Sequence, residues 1–99
     1  MTRNVLRVAR ALFDVPDRRR FGFELKKITR LSNASMYKAL HRMANAGWLE
    51  SHMEQVPPPP AAHPARRLRR YYVLTPEGEQ FLAAELETEG SFLLYGDAA

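Results

Sequence analysis

Three histidines, His41, His52 and His63, stand eleven residues apart in this chain, a spacing that matters only if the fold brings the imidazoles to one point. They fall on a predicted helix, a predicted strand and a proline-rich loop. No HExxH or paired-cysteine pattern accompanies them, so a metal site is not expected. Ser32 and Ser35 precede His41 closely enough to suggest a nucleophile and its base. There is no third orienting group or oxyanion loop, however, and helix capping accounts for Ser32 better. Cysteine is absent, which removes disulfides and thiolate nucleophiles, and there is no glycine-rich phosphate loop. These exclusions leave no enzymatic constellation and no cofactor requirement. The chemistry that remains is that of charge and hydrogen bonding.

The cations are grouped. They cluster at Arg18-Arg19-Arg20, at Lys26-Lys27-Arg30, at Lys38 and Arg42, and at Arg66-Arg67-Leu68-Arg69-Arg70. Residues 1–74 hold all 15 bases and five acids, a formal +10, whereas residues 75–99 hold six acids and no base. A basic body with an acidic end points to a polyanionic partner for the first part and a different task for the second. The bases do not follow one long amphipathic helix, so nucleic acid is favoured over a membrane surface. Over residues 34–46, a helical wheel places Met36, Leu40 and Met43 on one side and Ser35, Lys38, Arg42 and Asn45 on the other, with His41 alongside. An arginine there can bridge guanine O6 and N7, an asparagine can pair with adenine N6 and N7, and Ser35 or Lys38 can hold a phosphate or a base edge. Tyr37, on the flank, could donate its hydroxyl to a phosphate. Arg66, Arg67, Arg69 and Arg70 suit phosphate contact or minor-groove insertion, because guanidinium is drawn to narrow grooves.

These side chains need a scaffold. Val5, Val8, Ala9 and Leu12 recur at helical spacing until Asp14-Val15-Pro16 ends the first helix. A short second helix is expected over Gly22–Thr29, burying Phe23 or Leu25 together with Ile28. Ser32 or Asn33 caps a third, which stops at Gly47. Trp48–Glu54 alternates as a strand with Leu49 and Met53 on one face, and Arg69–Leu74 makes a second strand with Tyr72 and Leu74 inward. The connection between them carries Pro57–Pro60, which favours a stiff polyproline excursion. Thr75 and Pro76 open a last helix that Gly90 is expected to close. Three helices, a two-stranded hairpin and a C-terminal helix describe a mainly α, winged helix-turn-helix domain over residues 1–88, followed by an acidic and apolar tail over 89–99.

Several segments then look familiar. Gly22-Phe23-Glu24-Leu25, Met36-Tyr37-Lys38-Ala39-Leu40-His41-Arg42-Met43, Ala46-Gly47-Trp48-Leu49-Glu50 and Arg69-Arg70-Tyr71-Tyr72-Val73-Leu74-Thr75-Pro76-Glu77-Gly78 resemble the PadR family of bacterial transcriptional regulators, in order and spacing over most of residues 4–86. The resemblance implies a dimeric winged-helix repressor on a palindromic operator, released in some members by a small, often aromatic effector. Two positions depart from the family's habit: Phe21 stands where histidine is common, and Lys38 where proline often follows the helix tyrosine. Longer members carry a further helical domain for dimerisation and sensing, so dimerisation here is expected to use the first helix, the last helix and Phe92-Leu93-Leu94-Tyr95. The expected protein is a cytoplasmic regulator of double-stranded DNA. Two other readings stand beside it: an interaction module presenting Pro57–Pro60 to a protein partner, and an accessory factor in phage or mobile-element DNA processing.

Overall fold

The computed structural model describes residues 2–55 and 68–95, with side chains described as far as Thr88. Helix α1 (Arg3–Phe13) begins where the Thr2 hydroxyl accepts a bond from the Val5 amide at 3.3 Å, and Asp14 caps its end. Its apolar stripe of Val5, Val8, Ala9 and Leu12 is fully buried. After the turn at Pro16, Arg19–Phe21 forms a short strand, β1, that the sequence does not announce. It pairs antiparallel with β3 (Arg70–Leu74), Arg19 opposite Val73 and Phe21 opposite Tyr71. On the other side of β3 runs β2 (Leu49–Met53), Leu49 opposite Leu74 and Met53 opposite Arg70. The expected two-stranded wing is therefore part of a three-stranded sheet in the order β1-β3-β2. Three residues are too few to show a period, and the strand exists because β3 offers a second edge.

Helix α2 (Gly22–Thr29) starts with the Glu24 carboxylate reaching back to accept the Phe21 amide at 2.9 Å. Its buried face is the expected one only in part. Leu25 and Thr29 are inside, whereas Phe23 is 57% and Ile28 45% exposed. Thr29 tolerates burial because its hydroxyl donates to the Leu25 carbonyl at 2.7 Å. In a helix of this length several stripes are available, and its neighbours choose among them.

Helix α3 (Asn33–Asn45) is capped by Ser32, whose Oγ accepts the Ser35 amide at 3.1 Å. It ends at Gly47, which takes the left-handed φ of +82°, while the Trp48 amide returns to the Met43 carbonyl at 3.0 Å. Helix α4 (Pro76–Tyr95) is fastened to that point. The Thr75 hydroxyl donates to the Gly47 carbonyl at 2.7 Å and accepts the Gly78 amide at 3.0 Å, so one side chain joins the end of α3 to the start of α4. The helix runs through Gly90 instead of closing there, since a glycine within a helix costs entropy but keeps its hydrogen bonds. Met36, Ala39, Leu40 and Met43 of α3 meet Val5, Val8 and Leu12 of α1, Leu25, Tyr72, Leu74 and Leu82 in one core. Met53, expected to share the inner face with Leu49, is 43% exposed, at the far end of a strand in which only Leu49 is buried.

Candidate nucleic-acid interface

Burying Met36, Ala39, Leu40 and Met43 forces the opposite side of α3 outward. Lys38, His41, Arg42 and Asn45 are exposed and Ser35 is half-buried. These five side chains line one open groove of about 490 Å³, closed on one side by Thr2 and Asn4 at the head of α1. Among the described residues, the side chains of Lys38, His41, Arg42 and Asn45 are in no hydrogen bond or ion pair within the chain. Their donors and acceptors are available to an external partner.

The remaining predicted residues divide. Tyr37 leaves the groove and lines a second cleft of about 320 Å³ with Gly22, Phe23, Tyr72, Arg69 and Arg70, between the helices and the wing. Burial pushes the Tyr72 phenol above its ordinary pKa; the neighbouring Tyr37 adds to that, and Arg70 acts in the opposite direction. Arg69 is anchored: Nη2 meets Glu54 Oε1 at 3.0 Å, its backbone amide meets Oε2 at 2.9 Å, and its guanidinium lies 4.0 Å from the centre of the Phe21 ring. Arg70, exposed, donates from Nη1 to Ser51 Oγ at 2.9 Å. Arg66 and Arg67, and Pro57–Pro60, lie outside the described residues.

One basic cluster proves to be structural. Arg18 pairs with Glu79 at 2.8 Å and donates to the carbonyls of Phe13 and Val15, both at 2.8 Å. Arg20 donates to the Ala11 carbonyl at 2.7 Å and faces Glu24 at 3.6 Å. Arg19 lies over the Tyr71 ring at 4.6 Å, with Asp17 at 3.7 Å. This run ties the α1–β1 turn to α4 and the sheet. Sequence reasoning also passed over Thr2 and Asn4, which carry no motif and enter the groove only because α1 packs against α3. Among the described residues no group of three or more potential metal ligands gathers, and no helix is long and apolar enough to cross a membrane.

The Transcriptional regulator PadR-like family matches residues 18–84, the span from the Arg18 turn to the middle of α4. The chain belongs to the PadR-like family. It is thus a regulator of transcription that acts through DNA, in a family of regulators and not of enzymes. Solved structures agree on the fold. A PadR family transcription regulator from Clostridium difficile shares 25% identity, with a TM-score of 0.70 over 93% of this chain and 91% of that one. The smu.1704 protein of Streptococcus mutans shares 19% identity, with a TM-score of 0.73 over 95% of this chain and 85% of that one. BpsR of Bordetella bronchiseptica, whose DNA binding is regulated by 6-hydroxynicotinic acid, shares 22%, with a TM-score of 0.65 over 93% of this chain and 65% of that one. A search of curated proteins gave no match. In this PadR-like chain the winged-helix frame sets the outer face of α3 beside the wing, and the groove carries the polar chemistry.

Proposed function

We propose that this protein is a repressor that binds a palindromic operator as a homodimer, each α3 entering a major groove and each wing holding the adjacent backbone. The observation that carries the reading is the outer face of α3. Arg42 and Asn45, with Lys38 and His41 beside them, are exposed and unengaged on a helix whose other side is locked into the core. Arg42 and Asn45 read base edges; Ser35, Lys38 and His41 hold phosphate or base; Tyr37 and Arg70 hold the backbone at the helix–wing cleft. Arg66 and Arg67 extend that contact at the wing, and Arg69, held by Glu54, contributes as a fixed charge. Pairing through α4 and the Leu6–Phe13 edge of α1 sets the two α3 helices about 34 Å apart, one turn of duplex. Such a protein works in the cytoplasm, where the DNA is.

A selection from random duplexes with the purified protein tests this. The expected result is one enriched palindrome, bound at a stoichiometry of two chains, with affinity falling by orders of magnitude between about 50 and 200 mM salt. No enrichment, or an affinity flat in salt, overturns it.

A further inference from the structure

Where α1 passes the end of α2, arginines gather a second time. Arg7 Nη1 donates to the Thr29 carbonyl at 3.4 Å, and Arg7, Arg10 and Arg30 line an open cavity of about 360 Å³ with Ile28 and a single acid, Asp14. Arg3 lies on the same stripe of α1, one turn before Arg7. Arg18, Arg19, Arg20 and Arg69 each face a carboxylate. Among the described residues, Arg3, Arg7, Arg10 and Arg30 face none within ion-pair distance.

Local stability does not explain these arginines. The first turn of α1 holds Arg3 and no acid, which opposes the helix dipole. Arg3 and Arg7 are four apart and Arg7 and Arg10 three apart, spacings at which like charges on a helix repel. Arg30 ends α2 in the left-handed region at φ +60°, where glycine would be unstrained. Arg10 in the last turn suits the helix dipole and Arg7 donates to the Thr29 carbonyl, but among the described residues no carboxylate within ion-pair distance offsets the charge gathered on this surface.

We infer that this surface holds the phosphate backbone of duplex DNA flanking the half-site, so that the protein grips its operator beyond the bases α3 reads. This rests on the DNA-binding reading of α3. The stripe begins beside the α3 groove, whose near wall is Thr2 and Asn4 and whose far wall includes Lys38 and Arg42, so a duplex seated on α3 continues past the head of α1. Guanidinium forks match phosphate geometry, and neither the backbone nor this surface needs a particular sequence. An acidic α4 from a second copy has the right charge as well, but the pairing proposed above uses the Leu6–Phe13 edge, which adjoins the Arg3–Arg7–Arg10 stripe on the helix wheel and does not cover it, and α4 has no continuity with the α3 groove.

The test uses the full chain and two duplexes bearing the selected operator, one ending at the half-sites and one extended by about ten base pairs, one helical turn, on each side. Binding is measured against salt for the wild type, for the Arg7→Gln/Arg10→Gln double variant and for Arg30→Gly. Wild type binds the extended duplex more tightly and with the steeper salt dependence. Both variants lose that gain, the log–log slope falling by about 0.9 for each phosphate contact removed, while the short duplex is bound as before. Arg30→Gly relieves backbone strain, so it keeps or raises the melting temperature while losing the flank contact, which a purely structural role cannot produce. Unchanged binding to both duplexes overturns the inference and leaves α3 as the reader. Equal loss on both, or loss of self-association instead, also overturns it. A wild type that binds neither duplex overturns the α3 reading with it.

Discussion

Replacing Gly78 with alanine tests the junction that holds α3 in place. A Cβ at Gly78 would sit 2.8 Å from both the carbonyl carbon and the Cα of Trp48, and closer still to the Trp48 carbonyl oxygen. Good carbon–carbon contact lies near 3.5 Å, so the first turn of α4 must move by roughly 0.7 Å or more. Every obstructing atom is backbone, and no rotamer change relieves the clash. Moving α4 loosens the Thr75 cap, at about 1 kcal/mol, and the Trp48–Phe81 stack, whose ring centres are 4.7 Å apart, at about another 1. Overpacking adds about 1–3 kcal/mol, and the helical preference of alanine over glycine returns about 1. The expected net loss is thus about 2–4 kcal/mol, a fall in melting temperature on the order of 10 °C or more for a domain of this size. Two other glycines calibrate the result. Gly22→Ala places its Cβ at an ordinary 3.5 Å from the Tyr72 ring and should be close to neutral. Gly47→Ala must adopt φ +82° and should lose about 1–2 kcal/mol. Thermal unfolding by circular dichroism gives the order Gly22, Gly47, Gly78; a Gly78→Ala protein that melts with wild type would refute the packing argument.

Other outcomes follow from the same contacts. Arg42→Ala and Asn45→Ala should each relax preference at particular operator positions by about 1–3 kcal/mol, whereas Arg70→Ala should weaken all duplexes alike; competition binding with mutated operators separates these, and uniform loss from the α3 variants would contradict base reading. Arg18→Ala removes two bonds to carbonyls and one to Glu79, and at a one-third exposed side chain should cost about 1–3 kcal/mol of stability while leaving the DNA affinity of the folded fraction unchanged. The raised pKa of Tyr72 favours the protonated phenol in the folded state, so its contribution is fully present below pH ~10 and is lost as pH rises through the folded value. Ultraviolet titration should therefore show one tyrosine ionising late, absent in Tyr72→Phe; identical curves would exclude it.

Much of this molecule was legible in local patterns. Thr75-Pro76 starts a helix and Gly47 ends one because capping and positive φ are decided within a few residues. Met36, Leu40 and Met43 point inward because a helix repeats every 3.6 residues, and from that period alone Ser35, Lys38, Arg42 and Asn45 fall on the opposite side. What stayed hidden depended on partners far along the chain. Strand β1 exists only because β3, about fifty residues later, has a free edge for it. In sequence, Arg18-Arg19-Arg20 and Arg3, Arg7 and Arg10 look equally basic. Asp17 and Glu24 lie near Arg19 and Arg20 in sequence already, but only folding brings Glu79, 61 residues away, against Arg18, and only the fold shows that among the described residues no carboxylate comes within ion-pair distance of the second set. Whether a cation is a strut or a free hand depends on the field of its neighbours. That field falls off over a few ångströms in space, not along the chain, so only the tertiary structure could decide it.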